Sequence, residues 1–239
     1  MSEWFTRWFG KEYLDLYPHR DDVEARAVVR LIRNTVSPQS DGRALDLACG
    51  SGRHARALCK HMWTVGLDLS MELLQVAISE SPHIPYVRAD MRSLPFASAG
   101  FDLVVNLFTS FGYFASDEEN RAVLTEVNRV IRRNGTFVLD YLNADQVRAS
   151  LVSRDTRRVG ERVVTQDRRL TDDGLYVEKE ISATDCPRRY LERVRLFEPH
   201  ELRSLLHDAG FVIDHQLGDY TGGPLSPASP RAIFFVHRA

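Results

Sequence analysis

The chain has 239 residues, 44% of them hydrophobic and 27% charged, with a formal net charge of −2. This length fits one α/β domain over residues 1–239, and the near-neutral charge excludes a global electrostatic attraction to nucleic acids or anionic membranes. The three cysteines predict no disulfide framework, and no apolar run reaches the ~20 residues of a membrane span, so we expect a cytoplasmic protein.

The first 40 residues carry a helical pattern. Aromatic residues recur there at four-residue spacing, which places them on shared helix faces. The pairs are Trp4 with Trp8, Phe5 with Phe9, and Tyr13 with Tyr17.

From residue 44 onward, short apolar runs alternate with helical patterns, which predicts a parallel sheet with right-handed crossovers. Ser116 and Glu119 form a capping-box pattern at the start of the last of these helices. The predicted strands are Ala44–Ala48, Thr64–Asp68, Tyr86–Arg88, Phe101–Asn106 and Thr136–Asp140, and the predicted helices are Arg53–Met62, Met71–Glu80 and Asp117–Arg132.

The alternation stops in the C-terminal half of the chain. Within residues 150–198, three extended segments (158–170, 175–183 and 189–197) alternate apolar and charged residues, which predicts a three-stranded antiparallel insertion with one solvated face. A short helix then begins at Pro199, and two apolar runs, Phe211–Leu217 and Ala232–His237, close the chain.

The first strand is followed by a glycine turn, Gly50-Ser51-Gly52, and Asp68 ends the second strand. Backbone N–H groups of such a turn and the N-terminus of the next helix attract anionic or polar ligand groups. A carboxylate at the end of the second strand can accept both hydroxyls of a ribose. The turn alone therefore predicts a nucleotide-like ligand and is also compatible with a dinucleotide such as NAD.

Further motifs narrow this choice. They are Asp46-Leu47-Ala48-Cys49-Gly50-Ser51-Gly52, Gly66-Leu67-Asp68-Leu69-Ser70, Ala89-Asp90-Met91, Leu94-Pro95-Phe96 before Phe101-Asp102, and Val127 to Phe137. In order and spacing this set is similar to that of the class I S-adenosylmethionine (SAM)-dependent methyltransferases. The resemblance covers about residues 40–145, and it implies a Rossmann-like α/β fold with a seven-stranded, mostly parallel sheet whose last strand is antiparallel.

The resemblance also implies which residues bind SAM, and it implies no metal ion. By analogy with the family, a glycine turn contacts the methionine part, an acidic residue binds the ribose, and the next motif surrounds the adenine. The N-terminal segment resembles the lid of small-molecule members. The residues concerned are Ala48, Gly50, Gly52 and Asn106 for the methionine part, Asp68 for the ribose, Leu69, Asp90 and Met91 for the adenine, and Tyr13, Tyr17 and Arg20 in a lid over residues 1–40.

The methyl acceptor is expected beyond the fourth strand, since ligands of open α/β sheets lie past the carboxyl ends of the strands. The loop there lacks the Asn/Asp-Pro-Pro-Tyr/Phe motif of base-modifying relatives, which disfavours nucleic-acid bases. Its aromatic residues favour a ring-containing or apolar small molecule, although they also suit a core. The candidate acceptor residues are Phe108, Gly112 and Tyr113 in the loop, and Tyr190 and Arg193 in the insertion, which we expect to cover the acceptor side.

Methyl transfer is an in-line displacement at a carbon that the sulfonium already activates. A general base is therefore required only if the nucleophile must lose a proton. Candidates for that role are His19, His54, Asp140 and Tyr141, and the sequence favours none of them. Arg53 is either a solvated residue of the first helical turn or a partner of the SAM carboxylate.

We therefore predict transfer of a methyl group from SAM to nitrogen or oxygen of a small molecule by a monomer or homodimer, releasing S-adenosylhomocysteine. Three alternatives stay open at this point. The acceptor could be a protein, peptide or tRNA; the protein could bind SAM without catalysis; or the turn could serve an NAD-dependent oxidoreductase. The motifs at Asp90 and Phe101-Asp102 argue against the last of these.

Overall fold

A computed structural model describes residues 3–17 and 22–239 of the chain. Two short helices precede a longer one, and an alternating β/α region then leads into a run of four strands. The elements are α1 (Phe5–Trp8), α2 (Lys11–Leu16), α3 (Asp22–Val36), β1 (Arg43–Leu47), α4 (Arg53–Leu58), β2 (Trp63–Asp68), α5 (Met71–Glu80), β3 (Tyr86–Arg88), β4 (Phe101–Asn106), α6 (Asp117–Val130), β5 (Ile131–Leu142), α7 (Ala144–Ser150), β6 (Arg154–Val159), β7 (Arg162–Leu170), β8 (Tyr176–Ala183), β9 (Cys186–Arg195), α8 (Pro199–Asp208), β10 (Phe211–Leu217) and β11 (Arg231–Arg238).

The main sheet has seven strands in the order β10-β11-β5-β4-β1-β2-β3. β11 runs antiparallel to both of its neighbours, and the pairs from β5 through β3 are parallel. This confirms the predicted Rossmann-like sheet with its antiparallel last strand. Strand order reverses between β1 and β4, so the carboxyl ends of these strands flank the crevice where such sheets bind ligands.

The helix boundaries follow local capping. At α6, the Ser116 hydroxyl accepts the Glu119 N–H at 3.3 Å, and the capping box predicted there is present. The helix ends at Val130, two residues earlier than predicted, because the backbone N–H groups of Ala99 and Gly100 bond its last carbonyls at 2.9 and 2.7 Å. The helix predicted over Arg53–Met62 likewise ends early, at Leu58.

The second sheet is antiparallel with the order β6-β7-β8-β9, so the prediction of three strands was wrong. The segment predicted as one strand over 158–170 contains a tight turn. Val159 pairs with Arg162, and Gly160 between them has φ +60°. Apolar and charged residues alternate on both sides of this turn, so the pattern itself does not mark where the chain reverses.

The N-terminal helices pack on this second sheet, around a buried cluster of Trp8, Tyr13, Leu16, Tyr17, Leu73, Val164 and Ile181. The helical pattern is interrupted at Gly10, whose extended backbone separates α1 from α2. The Trp8 indole N–H donates to Glu192 at 2.6 Å, and the Trp8 ring lies 4.6 Å from that of Tyr190. Within the described ranges, no helix combines the length and apolarity that crossing a membrane requires.

Candidate active site

The turn between β1 and α4 takes a left-handed course. Ala48, Gly50 and Gly52 have φ values of +58°, +55° and +80°. The Cys49 N–H donates to the Leu67 carbonyl at 2.9 Å, which holds the turn against β2. Left-handed backbone favours glycine, which occupies two of these three positions. Ala48 adopts the same conformation although it carries a Cβ.

Asp68 ends β2 and fastens this turn. One carboxylate oxygen accepts the Gly50 N–H at 2.8 Å, and the other accepts the Ser70 N–H at 2.8 Å. Burial raises the pKa of Asp68, while these backbone hydrogen bonds act in the opposite direction. The carboxylate thus lies at the meeting point of the turn, the end of β2 and the start of α5.

A cavity of about 540 Å³ opens over the carboxyl ends of the strands and beneath the N-terminal helices. Its size falls within the range of ~300–1,000 Å³ that is usual for small-molecule sites. It brings together most of the residues predicted from the sequence. Those that line it are Tyr13, Tyr17, Ala48, Gly50, Asp68, Leu69, Asp90, Met91, Phe108 and Tyr113.

Two residues predicted near the methionine part lie behind the cavity wall. A Cβ on Gly52 would lie 2.5 Å from the hydroxyl oxygen of Tyr86 and 3.1 Å from the Cβ of Ala77, so this glycine lets β3 and α5 approach the turn. Asn106 is buried, and its amide donates to the Leu47 carbonyl at 3.1 Å. Its Oδ1 has no hydrogen-bond partner among the described residues.

Three residues predicted for the acceptor, Gly112, Tyr190 and Arg193, are not among those that line this cavity. The Gly112 carbonyl accepts the Arg195 N–H at 2.8 Å, and a Cβ at Gly112 would collide with the Tyr141 hydroxyl. Tyr190 lies against Trp8, as described above. The Arg193 guanidinium lies 3.8 Å from the centre of the Tyr176 ring. Gly112 and Tyr190 thus lie at contacts of the second sheet with the loop after β4 and with the N-terminal helices, respectively.

The candidate bases differ in their surroundings. Asp140 is fully buried and accepts hydrogen bonds from the Phe108 N–H, the Tyr220 hydroxyl and Arg231 at 2.9, 2.7 and 2.7 Å. Tyr141 is also fully buried, which raises the pKa of its phenol, and its hydroxyl donates to a backbone carbonyl.

His54 lines the cavity, and burial together with two neighbouring arginines lowers its pKa well below the usual range. Its imidazole is therefore uncharged at neutral pH. His19 and Arg20, the other predicted candidates on the N-terminal segment, lie outside the described residues.

Two further arginines contact residues that line the cavity, and the structure decides against one of the two alternatives left open for Arg53. Arg53 is 8% exposed, pairs with Glu24 at 2.9 Å and lies 4.4 Å from the Phe108 ring centre, so the interpretation as a solvated residue is wrong. For Arg92 the sequence predicted no role. Its guanidinium bonds Asp90 and Glu3, each at 2.6 Å, and also Glu119. Partial burial acts to raise the pKa of Asp90, but the hydrogen bonds from Arg92 outweigh it and lower that pKa.

Of the three contacts of Arg92, only the one with Asp90 could have been predicted from the sequence, because these two residues are close along the chain. Glu3 and Glu119 lie 89 and 27 residues away from Arg92.

Asp46 lies beneath the glycine turn and is 1% exposed. Burial raises its pKa to about 7, with a backbone hydrogen bond from Ala55 acting in the opposite direction. A raised acid pKa means that the folded state holds a proton that the unfolded chain has released. This residue therefore contributes most stability at acid pH, and the contribution is lost as pH rises through about 7.

We expect Asp46→Asn to remove this dependence. Relative to the variant, the wild type should lose about 2 kcal/mol of unfolding free energy between about pH 5.5 and about pH 8, since one pKa unit is worth about 1.4 kcal/mol. Urea denaturation of both proteins at the two pH values measures the difference. Asp41→Asn, at an exposed position, serves as the control. Parallel pH dependences of wild type and Asp46→Asn would contradict the assignment.

Comparisons with known proteins relate the chain to methyltransferases. A family model described as a methyltransferase domain matches residues 44–135. The chain is 34% identical over 216 residues to the putative methyltransferase YqeM of Bacillus subtilis, covering 83% of this chain and 85% of that protein. It is 26% identical over 232 residues to a dTDP-3-amino-3,6-dideoxy-alpha-D-glucopyranose N,N-dimethyltransferase of Streptomyces fradiae, covering 93% of this chain and 87% of that protein.

Among solved structures, an S-adenosylmethionine-dependent methyltransferase from Clostridium acetobutylicum superposes with a TM-score of 0.81 at 19% identity, covering 95% of this chain and 96% of that one. The fold, the glycine turn with Asp68 and the family matches lead to one assignment. The chain belongs to the class I S-adenosylmethionine-dependent methyltransferases.

Proposed function

We propose that this methyltransferase transfers the methyl group of SAM to a nitrogen or oxygen of a small molecule, and that an amine is the acceptor to test first. The observation that carries the proposal is the cavity of about 540 Å³, which the glycine turn, Asp68 and a cluster of aromatic residues surround. The choice of an amine rests on relatives such as the amino-sugar N,N-dimethyltransferase of Streptomyces fradiae.

The chemistry of the lining residues fits SAM. Asp68 presents a carboxylate suited to the two ribose hydroxyls, and Leu69 and Met91 supply apolar surface for the adenine beside Asp90. Gly50 and Ala48 line the wall on the side proposed for the methionine part. When bound there, SAM supplies an electrophilic methyl group on a positively charged sulfur.

The aromatic residues over the cavity are proposed to orient the acceptor and exclude water. Phe9 stacks on Tyr113 with ring centres 5.6 Å apart, and Tyr13 meets Phe9 edge-on at 5.0 Å. A pre-packed aromatic wall restricts the acceptor to few orientations, which is the main contribution a protein can make to an in-line displacement. We propose that α1 and α2 form the lid and that the second sheet supports it from behind.

The proposed reaction does not require a strong base in the protein. An amine that enters the cavity uncharged already has the lone pair for attack, and its proton can leave after transfer. We propose that Asp140 and Tyr141 have structural roles, because both side chains are fully buried and hydrogen-bonded within the protein. A hydroxyl substrate would have to lose a proton, and the lowered pKa of His54 makes this cavity-wall imidazole a weak proton acceptor, which favours an amine.

The lid contact through Arg92 leads to a further expectation. Arg92→Ala should weaken binding of S-adenosylhomocysteine about tenfold, because it releases Asp90 and the lid residue Glu3 together. Calorimetry measures the affinity, and amide hydrogen exchange over residues 3–10 measures the lid. Arg121→Ala, which removes a single exposed ion pair, is the control. Unchanged affinity together with unchanged exchange would count against the lid contact.

The experiment that tests the function is a transfer assay with methyl-labelled SAM. The panel contains amino sugars, nucleotide-linked amino sugars and small amino acids, each paired with an analogue that has a hydroxyl group in place of the amine. We expect labelled product from at least one amine at a rate above that of its hydroxyl analogue, and none with Asp68→Ala. Label that enters only the protein or RNA fraction of a cell extract would refute a small-molecule acceptor.

A further inference from the structure

The loop after β4 contains two consecutive residues in an unfavourable backbone conformation. Phe108 and Thr109 have φ values of +60° and +61°, and neither is a glycine. Residues with a Cβ seldom adopt this left-handed region, and a β-branched threonine is especially disfavoured there. Such strain persists only where surrounding contacts impose it, and it is concentrated at functional sites. Phe108 lines the cavity, so its backbone determines the shape of the wall.

The contacts that impose this conformation come from Asp140, two residues before the end of β5. Its carboxylate accepts the Phe108 N–H at 2.9 Å, and its backbone carbonyl accepts the Thr109 N–H at 3.0 Å. Both strained residues are thus bonded through their amides to a single residue of the neighbouring strand. The carboxylate is fully buried, so solvent does not compete for it.

Asp140 is held in turn by two residues from the C-terminal part of the chain. The Tyr220 hydroxyl donates to the same oxygen that binds Phe108, at 2.7 Å. Arg231 on β11 donates to the other oxygen at 2.7 Å and to the Thr109 hydroxyl at 2.9 Å. Burial and the charge of Asp140 raise the pKa of Tyr220, so its hydroxyl stays protonated and remains a donor.

The Phe108 side chain is fixed by the same group of residues. Two guanidinium groups lie over its ring, that of Arg53 at 4.4 Å and that of Arg231 at 5.6 Å from the ring centre. Arg53 is paired with Glu24 on α3. Cations over the faces of a ring attract it electrostatically, so backbone and side chain are restrained together.

We infer that Asp140, Tyr220 and Arg231 are positioning residues that hold Phe108 and Thr109 in left-handed backbone and thereby set the cavity wall beside the reacting groups. This inference rests on the proposed function for its meaning in catalysis, although the restraint itself can be measured without any acceptor. It assigns a role to the C-terminal strands, which lie beyond the segment matched by the family model.

Tyr220→Phe is the principal test because it removes one hydroxyl with little change in volume. We expect amide hydrogen exchange at Phe108 and Thr109 to accelerate at least about tenfold, because one hydrogen bond to a charged group is lost. The dissociation constant for S-adenosylhomocysteine should rise less, about threefold to tenfold, because this bond acts on the cofactor only through the loop. Tyr176→Phe, the same chemical change on the second sheet, is the matched control and should leave both measurements unchanged.

A second substitution separates positioning from general stability. Glycine adopts left-handed backbone without penalty, so Thr109→Gly should return the affinity of Tyr220→Phe to within about twofold of wild type. The Thr109→Gly variant also lacks the hydroxyl that Arg231 binds, so any recovery of affinity must come from the freedom of the glycine backbone. The affinity of Thr109→Gly alone is measured as the reference for the double variant.

The outcomes are distinct. Unchanged exchange and affinity in Tyr220→Phe, or a double variant as weak as Tyr220→Phe, overturns the inference while leaving the proposed function intact. A wild type that binds S-adenosylhomocysteine but methylates no acceptor refutes the proposed function, and exchange at Phe108 and Thr109 still decides the inference. Faster exchange and weaker affinity in Tyr220→Phe, with the affinity restored by Thr109→Gly, support it.

Discussion

Replacing Asp68 with alanine is expected to lower the affinity for SAM and S-adenosylhomocysteine by at least about 100-fold. The carboxylate bonds the Gly50 and Ser70 N–H groups and is proposed to bind the ribose hydroxyls. Each hydrogen bond to a charged group is worth about 1.5–3 kcal/mol, and every 1.4 kcal/mol is tenfold in affinity. Titration calorimetry with S-adenosylhomocysteine measures the loss.

A matched control comes from Asp102, near the start of β4. It also accepts a backbone N–H, from Arg43 at 2.8 Å, but it lies outside the set of residues that line the cavity. Asp102→Ala should retain cofactor affinity within about twofold, provided that circular dichroism shows both variants folded. If Asp68→Ala binds as tightly as Asp102→Ala, the ribose does not lie at Asp68.

Gly52→Ala is expected to have the second largest effect, and to act through the fold of the turn. The new Cβ would sit at a φ of +80° and 2.5 Å from the Tyr86 hydroxyl oxygen. Left-handed backbone costs about 1–2 kcal/mol for a residue with a Cβ, and overpacking typically adds 1–3 kcal/mol. We expect unfolding free energy to fall by about 2–5 kcal/mol in urea denaturation, with weakened cofactor binding as a consequence.

Combining this change with Tyr86→Phe distinguishes the two causes. Removing the phenol oxygen relieves the closest contact but leaves the backbone penalty, so the double variant should recover part of the lost stability. The Tyr86 hydroxyl is buried without a hydrogen-bond partner among the described residues, so Tyr86→Phe alone should cost little. If the double variant recovered nothing, Gly52 would be needed for its backbone alone.

The sequence predicted those elements whose causes are local. β3, β4 and α5 begin and end where apolar runs and caps indicated, and the capping box of Ser116 and Glu119 is present. The glycine turn and Asp68 were predictable because their spacing reflects a strand, a turn and a second strand. These features depend on residues close together in the chain, where periodicity and propensity carry information.

Contacts between distant residues could not be predicted in the same way. Asp140 was a candidate base because it lies at the end of a predicted strand. In the structure its carboxylate binds Arg231, which is 91 residues away along the chain, and we infer that it holds the loop after β4. Arg92 reaches Glu3 across 89 residues. Residue type and order give no measure of such pairings, which depend on the assembled sheet and on the path of the N-terminal helices.

The most direct test of the proposed cofactor site is a crystal structure of the protein with S-adenosylhomocysteine. We expect the ribose hydroxyls within hydrogen-bond distance of Asp68, the adenine between Leu69 and Met91 beside Asp90, and the sulfur facing the wall formed by Phe108 and Tyr113. An adenosine bound elsewhere, or a sulfur that points away from these aromatic residues, would contradict the proposed site.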